Sequence, residues 1–94
     1  MAAFGLFNKL TASKGKHTYL HDIMLRVAKE MEQLDDCQLY DVNVNEDDKD
    51  AIFIYEAWDD EQAHQASLTL DVFQSLIKEA SSFISKMEKI YVFT

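Results

Sequence analysis

Two side chains in this 94-residue chain have the type and setting for proton or oxyanion chemistry. Asn8 stands in AFGLFNKL, Ala3 to Leu10, in phase with Phe4, Leu6 and Leu10, an amide among apolar neighbours on what reads as a strand. A buried amide left without partners costs about 1–3 kcal/mol. Asn8 therefore either bonds to a backbone bulge or to the turn that follows, or points into a pocket between sheet and helices. His64 stands in EQAHQASLTL, at the edge of the apolar side of a short helix. Imidazole, with an ordinary pKa of about 6.5, can accept a proton at neutral pH. Its rim position suits a solvated side chain as well as a base at a pocket mouth. His17 and His21 fall at the start and on the polar side of the first helix and read as surface residues. Trp58 ends an apolar strand, where an indole packs the strand-to-helix corner or walls a pocket. Tyr40 and Tyr55 carry phenolic hydroxyls on opposite strand parities, so only one of them is expected at a ligand. Asp47, Asp48, Asp59, Asp60 and Glu61 lie in a turn and a helix cap without metal-ligand spacing, so no metal site is expected.

The elements that must position these groups follow from periodicity. After the strand Ala3 to Leu10, TASKGK is a turn signal containing Gly15. Leu20, Ile23, Met24, Val27, Ala28, Met31 and Leu34 then recur at three- and four-residue steps, a helical stripe of about four turns, ended by Asp35 and Asp36. CQLYDVNV, Cys37 to Val44, is a second strand, and the polar turn NEDDKD joins it in a hairpin to a third, within DAIFIYEAWDD. In that third strand Ile52, Ile54 and Trp58 fall on one side and Phe53, Tyr55 and Ala57 on the other, so it reads as covered on both faces. Asp59 and Asp60 suit an N-cap for the short helix EQAHQASLTL. A further helix, LDVFQSLIKEASSFI, takes Asp71 as its cap and buries Val72, Phe73, Leu76, Ile77, Ala80, Phe83 and Ile84. KMEKIYVFT closes the chain as a fourth strand. The order is β-α-β-β-α-β with the second helix broken near Leu70, an α+β, ferredoxin-like arrangement of four antiparallel strands with the helices on one face, in a single domain over residues 1–94.

The totals exclude several classes of partner. Seventeen acidic against nine basic residues, net −8, repel phosphate backbones and anionic membranes, so neither nucleic acid nor a membrane is expected. The acidity itself serves solubility. Cys37 is the only cysteine, which forbids an internal disulfide and fits a reducing compartment. MAAFGLFNKL lacks a basic leader ahead of an apolar core, and no apolar run approaches the roughly 18 residues of a membrane span. A cytoplasmic protein is expected.

Helices on one face leave the other bare. Phe4 or Gly5, Phe7, Leu39 or Tyr40, Phe53, Tyr55 and the run Ile90 to Phe93 contribute to that bare face, and monomers rarely expose more than a few hundred Å² of contiguous apolar surface. A second copy burying about 1,600 Å², roughly 60% of it apolar, would gain on the order of 24 kcal/mol gross at about 25 cal/mol/Å². Association costs roughly 4–15 kcal/mol. Burial wins, and a homodimer through the sheet face is expected.

The segments FNKLTASKG, DDCQLYDVNV, IFIYEAWDDEQAH and LDVFQSLI, in that order and spacing, resemble the antibiotic biosynthesis monooxygenase family over essentially the whole chain. AHQASL, Ala63 to Leu68, is similar to the branch described as quinol monooxygenases. The resemblance implies a dimeric α/β barrel. It also implies oxygenation of an electron-rich hydroxylated aromatic, such as a quinol, by O2 without flavin, metal or other cofactor. In heme-degrading and polyketide-oxidising relatives an asparagine on the first strand contacts substrate or oxygen, which puts Asn8 in that role. His64 becomes the proton acceptor, and Leu6, Trp58, Phe73 and Tyr40 become substrate-binding residues. Heme-degrading relatives place a second Trp and an iron-binding His on the second helical segment. The matching positions here, Ser67 and Ile77, serve neither purpose, so heme breakdown is disfavoured. Many quinol-oxidising relatives have a histidine at the place of Ser67, and this chain offers His64 three residues earlier. Ionising a phenol of pKa about 10 at pH 7 costs about 4 kcal/mol, and a positioned base supplies roughly 10²–10⁴ in rate, about 3–5.5 kcal/mol. So spare a site could therefore oxidise an activated quinol but not an inert ring. The alternative is a binding module that keeps the fold and pocket without the chemistry.

Overall fold

The computed structural model describes residues 3–94. Met1 and Ala2, inside the domain expected from the sequence, lie outside the described residues. The elements run β1 Phe4–Ala12, α1 His17–Glu32, β2 Cys37–Val44, β3 Ala51–Trp58, α2 Glu61–Ser67, α3 Asp71–Ser81 and β4 Ile84–Phe93. The strands form one antiparallel sheet in the order β2-β3-β1-β4, which is the ferredoxin-like arrangement expected, with the second helix divided in two between Ser67 and Asp71.

Register across the sheet decides which residues meet. Tyr40, Glu56, Leu6 and Val92 form one row across β2, β3, β1 and β4, and Val42, Ile54, Asn8 and Lys89 form the next. Alternation then sends both rows to the face covered by the helices. The ladder between β1 and β4 slips between Phe7 and Asn8, and the unpaired residue on β4 is Ile90. Such a bulge restores the in-phase pairing of Asn8 with Lys89 beyond it.

The helical layer is held by Leu20, Ile23, Met24, Val27, Ala28 and Met31 of α1, all buried. They pack with Leu10, Ile52, Ile54, Tyr40 and Trp58 from the sheet and Ala80 from α3. Gly15, with φ of 76°, turns the chain from β1 into α1 in the left-handed region that glycine enters without strain. Gly5 sits where a Cβ would lie 3.3 Å from Phe93 Cδ2 and 3.5 Å from the Glu56 carbonyl, a close passage of β1 between its two neighbours.

Of the two aspartates suited to capping α2, Asp60 does so, accepting the Ala63 N–H at 2.7 Å. Other local expectations need correction. The residue capping α3 is Leu70, without a side-chain bond, and Asp71 lies in the first turn, where its charge suits the helix N-terminus. Phe83 and Ile84 are not helical: α3 ends at Ser81, and β4 begins at Ile84 rather than at Lys86. Val72 faces solvent at 40% exposure instead of joining the buried stripe.

The opposite sheet face carries an aromatic band. Phe7 stacks on Phe53 with centroids 5.6 Å apart, Tyr55 stacks on Phe93 at 5.7 Å, and Tyr91 lies 4.6 Å from Phe93. Tyr91 and Phe93 remain 59% and 40% exposed. Of the alternatives open in the sequence, Gly5 and Leu39 face outward with this band, while Phe4 and Tyr40 face the helices.

Candidate active site

Between the inner sheet face and the helices lies a cavity of about 610 Å³. Its floor is Leu6, Asn8 and Leu10 from β1, Ile54 and Glu56 from β3 and Tyr40 from β2, and its roof includes Met24 of α1, His64 of α2 and Phe73 and Ile77 of α3. Glu61, Gln65 and Leu68, together with Met87 and Lys89 of β4, are exposed residues at its edge. The size is within the range of small-molecule pockets.

Asn8 and His64 both line this one cavity, the first brought there by strand parity, the second by the cap that starts α2. Leu6, Phe73 and Tyr40 line it too. Trp58 does not. It is 1% exposed and packs in the core, against a separate shallow cleft with Leu34, Ala63 and Ser67. Strand parity puts it on the inner face, but it lies beside Ala63 and Ser67 of α2 and outside the lining of the larger cavity. Tyr55 lies on the aromatic outer face.

The charged residue at the centre is one the sequence reading passed over. Glu56 is in phase with Ile52, Ile54 and Trp58, on the inner face of the strand that had seemed apolar on both sides, and is 6% exposed. Trp58 Nε1–H donates to Glu56 Oε1 at 2.9 Å, and His64 Nε2 lies 3.3 Å from the same oxygen. The imidazole is bracketed by Phe4, with ring centroids 5.5 Å apart, and by the edge of Trp58 at 6.0 Å. The signal available in the sequence was a single carboxylate in phase with three large apolar side chains, since a buried charge needs partners.

Tyr40 faces Glu56 directly across the β2–β3 ladder. Burial, then the nearby Glu56 and Cys37, push its phenol well above the ordinary value of 10.0, so it stays a neutral donor. Burial also raises the Cys37 thiol, against the hydrogen bond from Sγ to the Leu39 carbonyl at 3.5 Å. A thiol kept protonated is a poor nucleophile. Ser67 Oγ–H donates to the His64 carbonyl at 2.6 Å and is buried, turned away from the cavity, whereas Ile77 lines it. Among the described residues no three His, Cys, Asp or Glu side chains are grouped to hold a metal ion, and no helix is long and apolar enough to cross a membrane.

The antiparallel sheet, its one helical layer and the cavity between them define an α+β protein of ferredoxin-like type. The sequence model described as antibiotic biosynthesis monooxygenase matches residues 3–79. A solved structure from Chloroflexus aurantiacus J-10-fl, described as a "putative" antibiotic biosynthesis monooxygenase, is 30% identical. It superposes with a TM-score of 0.83 over 98% of this chain and 89% of that one. A protein of the same description from Nitrosomonas europaea superposes at 0.90 with 9% identity, over 97% of this chain and 88% of that one. A conserved protein of Methanosarcina mazei Go1 superposes at 0.88 with 18% identity, over 99% and 92%. The last two likenesses speak for the fold alone. No curated protein matches the sequence. This chain belongs to the antibiotic biosynthesis monooxygenase family.

Proposed function

We propose that the protein is a cofactor-independent monooxygenase acting on a flat, electron-rich, hydroxylated aromatic of the quinol type. The observation that carries this reading is the meeting of His64 and Asn8 on one largely apolar cavity. His64 accepts the phenolic proton. The ionised ring then supplies the electrons that O2 requires, and the Asn8 amide donates to the oxyanion that develops on substrate or oxygen. A quinol and one O2 give a hydroxyquinone and one water, so no external reductant is needed. Leu6 and Phe73 hold the ring, and the Tyr40 hydroxyl is a further donor to it. Ser67 and Ile77 supply neither an iron ligand nor a second indole, which weighs against heme breakdown.

Two copies pair through the aromatic outer face in this reading, because that face is apolar, continuous and left bare by the helices.

Oxygen uptake with a reduced naphthoquinone tests the proposal. Wild type is expected to consume O2 faster than the uncatalysed background, with His64→Ala slower by about 10²-fold or more and Asn8→Ala also slower. Equal rates in all three proteins would remove the site assignment. Thermal stabilisation by the quinol without turnover would leave the binding module as the better reading.

A further inference from the structure

Glu56 is a carboxylate on a central strand, and two ring nitrogens lie against it, those of Trp58 and His64. Trp58 Nε1–H already donates to Oε1 at 2.9 Å. His64 Nε2 reaches the same oxygen at 3.3 Å. A carboxylate oxygen only accepts, so a proton on Nε2 makes this close approach attractive, and in the neutral imidazole it leaves the lone pair on Nδ1. Phe4 and Trp58 on either side restrict the ring's rotation. Because Trp58 and Glu56 both belong to β3 while His64 belongs to α2, the contact also ties the short helix to the sheet.

We propose that Glu56 is the positioning residue of this cavity: anchored by the Trp58 indole, it holds His64 as the Nε2–H tautomer and presents Nδ1 as the proton-accepting atom. Its consequence for turnover rests on the oxygenase reading above. When Nδ1 takes the phenolic proton the ring becomes cationic, and the carboxylate beside it offsets that charge where little water can. Tyr40, across the ladder, remains a neutral phenol and does not compete for the proton. The same anchoring accounts for an indole that sits behind the cavity instead of in it.

Long-range ¹H–¹⁵N spectra of the ¹⁵N-labelled protein, with no substrate present, read the contact without any assumption about the reaction. In the neutral form of the His64 ring, reached by raising the pH until the imidazolium signals are gone, the remaining proton is expected on Nε2, protected from exchange. A neutral ring protonated on Nδ1 would overturn the proposal. Glu56→Gln is expected to lose the exchange protection and to lower kcat with the reduced naphthoquinone by about 10- to 100-fold, with KM changed by less than about twofold. A folded Glu56→Gln protein with unchanged His64 signals and unchanged kcat would also overturn it. If that variant does not fold, the wild-type spectrum still decides. The expected spectrum in a protein that consumes no O2 would uphold the positioning contact while refuting the oxygenase.

Discussion

At the scale of single residues, Trp58 and Tyr40 flank one buried carboxylate and lead to separate expectations. The indole N–H is a buried donor to Glu56. Trp58→Phe keeps an aromatic ring but removes that donor, and the protein should lose about 1–3 kcal/mol, more if the smaller ring leaves a void. Urea unfolding would show it as a lower midpoint at unchanged slope. Tyr40 sets a pH dependence. Its phenol is held protonated by burial and by Glu56, so above pH 10 or so the unfolded chain releases a proton that the folded chain keeps. Stability then falls as pH rises from about 10 towards the folded value and is unaffected by this group at lower pH. Denaturation series in that alkaline window should fall less steeply for Tyr40→Phe than for wild type. The placing of Asn8 and His64 on the cavity was legible in the sequence because each is a polar side chain at an apolar border. Glu56 is less legible, because its partners lie on another element and at a second strand position that only the folded chain brings together.

At the scale of elements, α2 is the piece on which the site depends most. Seven residues make a helix too short to persist by its own propensity, so its cap and its contact with the sheet must hold it. Asp60→Ala removes the bond to the Ala63 N–H and should cost about 0.5–2 kcal/mol in chemical denaturation. Oxygen uptake should drop more than the global stability loss accounts for, since the helix that carries His64 is the one loosened. The turn into α1 makes a simpler case: Gly15→Ala forces a side chain into the left-handed region and should cost about 1–2 kcal/mol. The strands and α1 could be read from the sequence because alternation and the three- and four-residue steps are local. The end of α3 could not, since Phe83 and Ile84 continue the apolar pattern past the helix and are claimed by the sheet instead. Strand parity, which separated Phe4 from Gly5 and Tyr40 from Leu39, is fixed by pairing partners rather than by the strand's own residues.

At the scale of the whole molecule, the sheet separates two tasks. Its inner face presents Tyr40, Glu56, Asn8 and Lys89 to a cavity, and its outer face presents Phe7, Phe53, Tyr55, Tyr91 and Phe93 to a second copy in the proposed dimer. Tyr55→Lys places a charge in the middle of that band, and sedimentation at micromolar concentration should find wild type as a dimer and the variant shifted towards the 10.9 kDa monomer. The central claim concerns the inner face, and the fate of oxygen tests it most directly. With a reduced naphthoquinone under ¹⁸O2, mass spectrometry should find one labelled oxygen atom in the product made by wild type, and His64→Ala should yield little of it. A product without label, or an equal yield of labelled product from His64→Ala, would contradict the account.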